Sequence, residues 1–313
     1  MRPDRDSAAA GGQASRRLFV FNGGLLTGRR VRRILTLAGH EIRLGLPGRD
    51  DLVAVWGARP STGRGLAVAN ARGAGVLRVE DAFLRSVLPG RARGAGGPLG
   101  LLLDRRGVHF DPSCPSDLEH LLTTHPLDDT ALLDRARAAI GRIRAQHLGK
   151  YTGFDPATPV PAPGYVLVID QSRGDASVTA SGADADTFRE MLAMAQIENP
   201  GARVIVKAHP ETALGLRPGH YVPDQPGMLS APVSPWALLE GAVAVYTVSS
   251  QMGFEAILAG HRPRVFGQPF YAGWGLTEDQ RPLDRRTRRL TRAQLAAAAL
   301  ILAPTWYDPF RDR

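Results

Sequence analysis

The stretch VAVYTVSSQMGFEAILAG, residues 243–260, decides the fold of this 313-residue chain. Its first six residues are mostly β-branched and predict a buried strand, and residues 254–259 predict the helix that follows. Ser249 and Ser250 stand between the strand and the helix N-terminus. Because unpaired N–H groups and the helix dipole favour anions there, the pattern predicts a site for a phosphate or a carboxylate. The alternative is an ordinary helix cap, which serine also forms.

The next stretch, VFGQPFYAGWGLT at residues 265–277, favours the anion site over the simple cap. Its three glycines allow sharp backbone turns. Its three large aromatic residues are costly in a loop unless they pack on a lobe or a ligand. We therefore expect this loop to form a wall of the site.

Strand and helix patterns alternate on the N-terminal side of this stretch. The runs that predict strands are residues 18–23, 51–57, 75–79, 165–171 and 202–211, and those that predict intervening helices are residues 29–39 and 187–200. Such alternation is typical of parallel sheets. The sequence thus predicts an α/β fold with two Rossmann-like lobes that face each other across a cleft.

Other local patterns predict smaller features. Residues 98–111 predict a hairpin with its turn at Arg106 and Gly107. Ser116, followed three residues later by Glu119, matches a capping box that opens a helix. The remaining patterns that predict helices are residues 129–147, 235–241 and 291–303.

Length and composition predict the domain limits. A chain of 313 residues is long for one core, which favours two domains. The segment 150–164 is rich in proline and glycine and predicts a linker. Residues 1–17 are small and polar and predict a disordered tail. The expected lobes are therefore residues 18–149 and 165–313.

Composition also predicts a compartment and a class of partner. Cys114 is the only cysteine, which favours a reducing, cytoplasmic location. The sequence has no run of about 18 apolar residues, so it predicts no membrane span. A net charge of +9 predicts a polyanionic partner. The basic run 285–289 beside the last helix predicts peripheral attachment to an anionic membrane. Nucleic acid is not a predicted partner, because the arginines are dispersed rather than interleaved with aromatic residues.

Polar side chains gather where four predicted strands end, which is where ligands bind in α/β sheets. They are Glu80 and Asp81; Asp170, Gln171, Asp175 and Ser177; Lys207 and His209; and Ser249, Ser250 and Glu255. An aspartate can serve as a nucleophile or base, with Glu80 of the other lobe as its partner in glycosyl transfer. Lys207 and Lys150 are the only lysines among 39 basic residues, which favours a task that needs a compact charge.

Each of these residues also has an ordinary interpretation. Asp175 can cap a helix, and Glu80 can pair with Arg85 at the strand end. His209 can be a satisfied core histidine, and Lys207 a solvated strand end. The motifs of P-loop enzymes, dinucleotide-binding dehydrogenases, zinc proteases and nucleophile-elbow hydrolases are absent from the sequence, and its carboxylates are not clustered as in metal-dependent sugar transferases. We therefore expect no metal and no cofactor.

Five long motifs resemble, in order, the capsule polysaccharide biosynthesis family of the KpsC type. They are VEDAFLRS (79–86), LLLDRRGVHFDPSCPSDLEHLL (101–122), VLVIDQSRGDAS (166–177), ENPGARVIVKAHPE (198–211) and VYTVSSQMGFEAILAG (245–260), the last followed by FGQPFYAGWGLTED (266–279). The resemblance covers about residues 18–309. It implies a retaining β-Kdo glycosyltransferase with GT-B-like lobes. Such enzymes take the acidic sugar Kdo from CMP-Kdo and add it to a lipid-linked Kdo acceptor at the cytoplasmic face of the inner membrane.

The resemblance also implies roles for residues at the matching positions. The residues implied in nucleotide-sugar binding are Gln171, Lys207, His209, Ser249, Ser250, Gln251 and Glu255, and those implied in catalysis are Glu80, Asp170 and Asp175. Between the aspartates we favour Asp175 as the nucleophile, because the preceding glycine lets its backbone approach the sugar.

Two departures from the family pattern qualify this implication. Ala82 stands where glycine usually follows Glu-Asp, and the chain carries one module where the family typically has two. A single module can require a second capsule-assembly protein as a partner. The alternative function is a non-catalytic component for capsule polysaccharide export or binding, which would not need all three carboxylates.

Overall fold

The computed structural model describes residues 16–57, 62–94, 96–222 and 225–313. These residues form two six-stranded sheets flanked by helices. The predicted pair of Rossmann-like α/β lobes is therefore confirmed. Most of the predicted disordered tail, residues 1–15, lies outside the described residues. Its last two residues belong to the first strand, so the N-terminal lobe begins earlier than predicted.

The first lobe is built from the N-terminal half of the chain. Its elements are β1 (Arg16–Val20), α1 (Gly23–Thr27), α2 (Arg29–Leu37), β2 (His40–Arg43), β3 (Leu52–Trp56), α3 (Thr62–Arg72), β4 (Gly75–Asp81), β5 (Gly100–Asp104), α4 (Asp117–Thr124) and α5 (Thr130–Ala145). Strands β1 to β4 are parallel, as predicted, and β5 runs antiparallel to β4. The parallel strands are rich in buried valine and leucine because helices cover both faces of the sheet.

The second lobe follows with a sheet that is parallel throughout its described strands. Its elements are β6 (Tyr165–Ile169), α6 (Ala176–Ala180), α7 (Ala185–Glu198), β7 (Arg203–Lys207), α8 (Pro210–Ala213), β8 (Met228–Leu229), α9 (Pro235–Gly241), β9 (Ala242–Thr247), α10 (Gln251–Ala259), β10 (Arg264–Val265), β11 (Glu278–Asp279) and α11 (Arg292–Ala296). The strand order is β11-β10-β9-β6-β7-β8. The stretch 243–260 thus supplies a strand beside β6 at the centre of this sheet and the helix after it, as predicted.

The C-terminal segment returns to the first lobe. Helix α11 continues as a π-helical segment, Ala297–Leu302, whose first four residues are buried. The chain then forms β12 (Pro304–Trp306), which pairs antiparallel with β5 and completes the order β12-β5-β4-β3-β1-β2. The sheet of the first lobe therefore contains strands from both ends of the chain. The predicted lobes differ from this, because they assign all of residues 165–313 to the second lobe.

The predicted hairpin over residues 98–111 is wrong. Strand β5 ends at Asp104, whose Oδ1 accepts the N–H groups of Arg106 and Gly107 and whose Oδ2 accepts the N–H of Asp117. These bonds turn the chain toward α4 instead of back along β5. A buried carboxylate that satisfies three backbone donors therefore replaces the second strand.

The basic run 285–289 is part of the junction between the lobes. Arg285 and Arg286 both pair with Glu119 of α4, and Arg286 is almost fully buried. Arg288 donates to carbonyls at the C-terminal end of α4, at Leu122 and His125. Three of the five residues thus form hydrogen bonds within the protein, while Arg285 and Arg289 remain exposed, and attachment of this run to a membrane stays a prediction.

Glu119 also differs from its predicted role. Ser116 caps α4 by accepting the N–H of Glu119, as the capping box requires. The Glu119 carboxylate, however, faces the two arginines. The sequence pattern predicted the start of the helix correctly. The Glu119 side chain, however, forms tertiary ion pairs with the two arginines.

Candidate active site

The carboxyl ends of the central strands from both sheets face one cleft. Phe83, just after β4, stacks on Phe270 of the second lobe with ring centroids 4.4 Å apart. Gln251 Nε2 donates to the Phe83 carbonyl at 2.6 Å. Arg91, in the loop after β4, lies 3.9 Å from Glu211 of α8. These contacts bring the polar strand ends of the two lobes together. The aromatic residues Phe270, Tyr271 and Trp274 are buried in the core, so the loop packs within the protein, and its role as a wall of the site stays a prediction.

A buried network of hydroxyls and one amide lies at the ends of β6 and β9. The N–H of Ser249 donates to Gln171 Oε1 at 2.9 Å, and Gln171 Nε2 donates to Ser249 Oγ at 3.2 Å. Ser249 Oγ lies 3.0 Å from Ser177 Oγ, which donates to Asp175 Oδ1 at 2.7 Å. The structure therefore brings Gln171, Ser249 and Asp175 together, and it links Asp175 to Ser249 through Ser177, which the sequence also placed at this strand end.

Asp175 caps helix α6, so the ordinary interpretation of this residue is observed. Its Oδ1 accepts both the N–H and the hydroxyl of Ser177. The side chain is only half-buried, and the two Ser177 bonds both end on Oδ1. Capping therefore fixes the orientation of the carboxylate and leaves Oδ2 as the oxygen for chemistry.

Asp170 is in a different environment. It is 1% exposed, and its Oδ1 accepts the N–H groups of Gln171 and His220 at 2.8 and 3.0 Å. A Cβ on Gly219 would collide with Oδ2, so the 219–220 backbone covers this oxygen. Burial raises the pKa of Asp170 to about 6 although these N–H groups act in the opposite direction. These contacts are those of a carboxylate that holds a loop, and they disfavour Asp170 as the attacking group.

His209 presents one ring nitrogen as a hydrogen-bond donor. Its Nδ1 accepts the N–H of Glu211 at 3.1 Å as the cap of α8, and Ser172 Oγ lies 3.1 Å from the same atom. Burial, with the nearby positive charge of Lys150, lowers the pKa of His209 to about 4, so the ring is neutral at pH 7. A neutral ring that accepts on Nδ1 carries its proton on Nε2.

Lys207 is buried at the end of β7. Its Nζ donates to the carbonyls of Ala208 and Ala231 at 3.1 and 3.2 Å. Burial lowers the pKa of this ammonium to about 8. The predicted alternative of a solvated strand end is therefore wrong, and the lysine ties the end of β7 to the segment after β8.

The ammonium of Lys150 is influenced by acidic groups of both lobes. Burial acts to lower the pKa of its ammonium, but nearby groups outweigh burial and leave the pKa raised. These groups are Tyr151, Asp175, Asp81 and Glu80. The sequence pattern had placed Lys150 in the linker, and its one signal was the scarcity of lysine. Acidic residues far apart in sequence thus favour the protonated form of Lys150.

Glu80 lies at the end of β4 against the backbone that follows β3. A Cβ on Gly57 would collide with Glu80 Oε1, and Gly57 has a φ of 49°. The ion pair predicted as the alternative for Glu80 is formed by its neighbour, because Arg85 Nε donates to Asp81 Oδ2 at 2.5 Å. The close approach of the Gly57 backbone therefore helps to position the Glu80 carboxylate.

The remaining predicted residues lie on helix α10 and at its start. Ser250 caps the helix by accepting the N–H of Met252. Gln251 and Glu255 face the first lobe, where Glu255 accepts the N–H of Lys150 at 3.3 Å. Burial raises the pKa of Glu255 to about 7, although the Lys150 N–H and ammonium act against it. The structure places these two side chains at the lobe junction, apart from the serine network, and their role in nucleotide binding stays a prediction.

The described part of the chain was searched for metal-ligand clusters and for membrane-spanning helices. Within residues 16–57, 62–94, 96–222 and 225–313, no group of three or more metal-ligating side chains is found. No helix in the same ranges is both long and apolar enough to cross a membrane. Metal independence of the reaction stays a prediction.

Similar solved structures share both lobes. The chain known as Thermosulfurimonas dismutans KpsC, beta Kdo 2,4 transferase, is 35% identical, with a TM-score of 0.88 over 96% of this chain and 95% of that one. A second chain from the same organism, KpsC, beta Kdo 2,7 transferase, is 25% identical, with a TM-score of 0.70 over 95% and 94%. The likeness therefore covers the lobes, the cleft between them and the strand ends described above.

Named proteins of other bacteria are similar to this chain in amino-acid sequence. The Capsule polysaccharide modification protein LipA of Neisseria meningitidis serogroup B is 33% identical over 94% of this chain and 44% of its own length. The Lipopolysaccharide-processing protein LpsZ of Rhizobium meliloti is 40% identical over 73% and 54%. This chain thus spans about half the length of these relatives. The profile of the family described as Capsule polysaccharide biosynthesis protein matches residues 51–160 and 137–305. The resemblance expected from the motifs is confirmed, and the chain belongs to the capsule polysaccharide biosynthesis protein family.

Proposed function

We propose that this chain is a retaining glycosyltransferase that moves β-Kdo from CMP-Kdo to a lipid-linked glycan acceptor during capsule polysaccharide assembly. The observation that carries the proposal is the hydrogen-bonded network of Gln171, Ser249, Ser177 and Asp175 at the ends of β6 and β9, next to the contacts of Phe83 with Gln251 and Phe270 that bring the end of β4 to the same place. The likeness to two Kdo transferases supports this choice of sugar. In this proposal the two lobes work as a GT-B-like pair.

The donor site uses the second lobe. His209 Nε2–H and the Ser249 hydroxyl offer neutral donors to the CMP phosphate, and Lys207 keeps the end of β7 in place through its two carbonyl contacts. Lys150 adds a positive charge beside the carboxylates. Because CMP departs as an anion, donors already aimed at its phosphate stabilise the departure. We expect this step to need no metal.

Asp175 is the nucleophile in the proposed mechanism. Its oxygen attacks the anomeric carbon of Kdo, CMP leaves with the electrons of the broken bond, and a glycosyl ester forms on the carboxylate. The acceptor hydroxyl then attacks the same carbon, gives its proton to Glu80 and releases Asp175. Two inversions at one carbon give net retention. Asp170 holds the 219–220 backbone beside this site.

We further propose that the chain works as a peripheral protein at the cytoplasmic face of the inner membrane, where the lipid-linked acceptor is embedded. We also propose that a second capsule-assembly protein supplies the linkages that this module does not make. Both parts follow from the resemblance to the family.

The test of this function is a transfer assay. The purified chain is incubated with CMP-Kdo, a chelator and a short Kdo-bearing acceptor, and the products are analysed by mass spectrometry. We expect the acceptor to gain one Kdo in a β linkage, and we expect Asp175→Asn to abolish the gain. A product with inverted configuration, or no product together with no CMP-Kdo binding, would overturn the proposal.

A further inference from the structure

The turn that carries Asp175 lies against a segment of the second lobe that follows α8 in the chain. Ser172, at the start of the turn, forms an antiparallel bridge with Gly219. The N–H of Arg173 donates to the carbonyl of Pro218 at 2.8 Å. Because these bonds join backbone to backbone, the segment supports the turn from one side.

Arg217, the residue before Pro218, adds a side-chain contact to the same turn. Its Nη2 donates to the carbonyl of Arg173 at 2.5 Å. A Cβ on Gly174 would lie 3.6 Å from this nitrogen, so the guanidinium lies beside the residue that precedes Asp175. Gly174 has a φ of 70°, which other residues rarely adopt. A charged donor binds a carbonyl more strongly than a neutral one. Arg217 therefore holds a strained peptide next to Asp175 in one orientation.

Glu211 of α8 holds the other side of this guanidinium. Its Oε2 accepts Arg217 Nη1 at 3.3 Å, and its backbone carbonyl accepts the Arg217 N–H at 3.3 Å. Glu211 is 7% exposed and the Arg217 side chain 21%, so the ion pair is largely shielded from water. Because a guanidinium is planar and rigid, a bond at Nη1 also fixes the direction of Nη2. The N–H of Glu211 donates to His209 Nδ1. One glutamate thus connects His209 to the turn that carries Asp175.

We infer that Arg217 is a positioning residue for Asp175 and that Glu211 keeps its guanidinium in place. The inference rests on the proposed function, which assigns the attack on the sugar to Asp175. Ser177 fixes the carboxylate through Oδ1, whereas Arg217 fixes the backbone that carries it. A nucleophile displaced by about 1 Å reacts about 100-fold more slowly. The side-chain hydrogen bonds of Arg217 go to Glu211 and to the turn, so its loss should slow the reaction and leave CMP affinity unchanged.

Two variants and a matched control test the inference in the full chain. Arg217→Ala removes both side-chain contacts. Arg217→Lys keeps the charge but lacks the fork that reaches two acceptors at once. The control is Arg203→Ala, which removes an arginine of the same lobe that donates to a backbone carbonyl, that of Ala162, at 2.8 Å. This carbonyl precedes β6, at the end of the sheet away from the cleft.

Three measurements are made on each protein: kcat for Kdo transfer, CMP affinity by calorimetry, and hydrogen–deuterium exchange of the amides in residues 172–177. We expect Arg217→Ala to lower kcat about 10-fold to 100-fold with unchanged CMP affinity, and to speed exchange in the turn. Arg217→Lys should lie between Arg217→Ala and the wild type, and Arg203→Ala should behave as the wild type. Added guanidinium ions, far below denaturing concentrations, should restore part of the activity of Arg217→Ala.

Three outcomes overturn the inference. Wild-type kcat in Arg217→Ala, or wild-type exchange in residues 172–177, shows that the turn does not depend on Arg217. A loss of CMP affinity as large as the loss of kcat shows that Arg217 binds the donor itself. If Arg217→Ala does not fold, the same criteria apply to Arg217→Lys. If the wild type transfers Kdo to no acceptor, the proposed function falls, whereas faster exchange in the turn with unchanged CMP affinity still supports Arg217 as the residue that positions it.

Discussion

Replacing Glu119 with alanine should destabilise the protein strongly, because this carboxylate holds the two lobes together. Glu119 is 5% exposed and accepts from Arg285 Nε at 2.5 Å and from Arg286 Nη2 at 2.8 Å. Arg286 is 6% exposed and would keep only its bonds to two backbone carbonyls. Removing one partner of a buried ion pair costs about 3–5 kcal/mol, because the other charge stays buried without compensation.

The assay is urea denaturation followed by tryptophan fluorescence, since buried Trp274 lies 5.7 Å from the Arg286 guanidinium. Asp134→Ala is the matched control, because it removes an exposed ion pair with Arg137 and should cost about 0.5 kcal/mol or less. Burial acts to raise the pKa of Glu119, but the two arginines outweigh it and the pKa is lowered from its usual 4.5. The stabilisation is therefore complete above pH 4.5 and is lost as the pH falls through the lower folded-state pKa. A loss below about 1 kcal/mol at pH 7, or an equal loss at pH 7 and pH 3, would refute this reasoning.

Further predictions concern the cleft. Lys207→Ala and His209→Ala should each weaken CMP binding by about 1–3 kcal/mol in calorimetry, and unchanged affinity in both would remove these residues from the nucleotide site. Because the pKa of Lys207 is about 8, wild-type CMP affinity should fall as the pH rises through 8, and Lys207→Arg should show no such fall. Gly57→Ala should displace Glu80 and lower the transfer rate by about 10-fold to 100-fold without changing CMP affinity; an unchanged rate would show that Glu80 needs no such positioning.

The lobes were predictable because buried parallel strands carry a local signal. The runs before Asp170 and Ser249 are short, apolar and β-branched, and polar residues follow them directly. Their pairing at the centre of one sheet then brings the two polar ends together. Strand β2 was not predicted, because HEIR is a four-residue edge strand whose pattern is mostly polar. Strand β12 was missed because its pairing with β5 depends on the return of the chain to the first lobe.

The centre of the site was less predictable. Lys150 lies in a segment whose proline and glycine content indicates a linker, and the acidic groups that raise the pKa of its ammonium include residues 70 positions before it and 25 after it. The basic run 285–289 is an obvious pattern in the sequence, but its partner is not. Nothing in a run of arginines indicates that Glu119, more than 160 residues earlier, forms ion pairs with Arg285 and Arg286. Sequence patterns located the strand ends, whereas the partners of each charge required the tertiary structure.

The most direct test of the proposed chemistry is intact-protein mass spectrometry of Glu80→Gln mixed with CMP-Kdo in the absence of acceptor. Without its base for the second step, the protein should accumulate the glycosyl ester. We predict a mass increase of one Kdo residue that peptide sequencing maps to Asp175, with no increase in Glu80→Gln combined with Asp175→Asn. If the variant binds CMP-Kdo but forms no adduct, and Asp175→Asn retains full transfer activity, the account of the cleft as a retaining transferase with Asp175 as its nucleophile is contradicted.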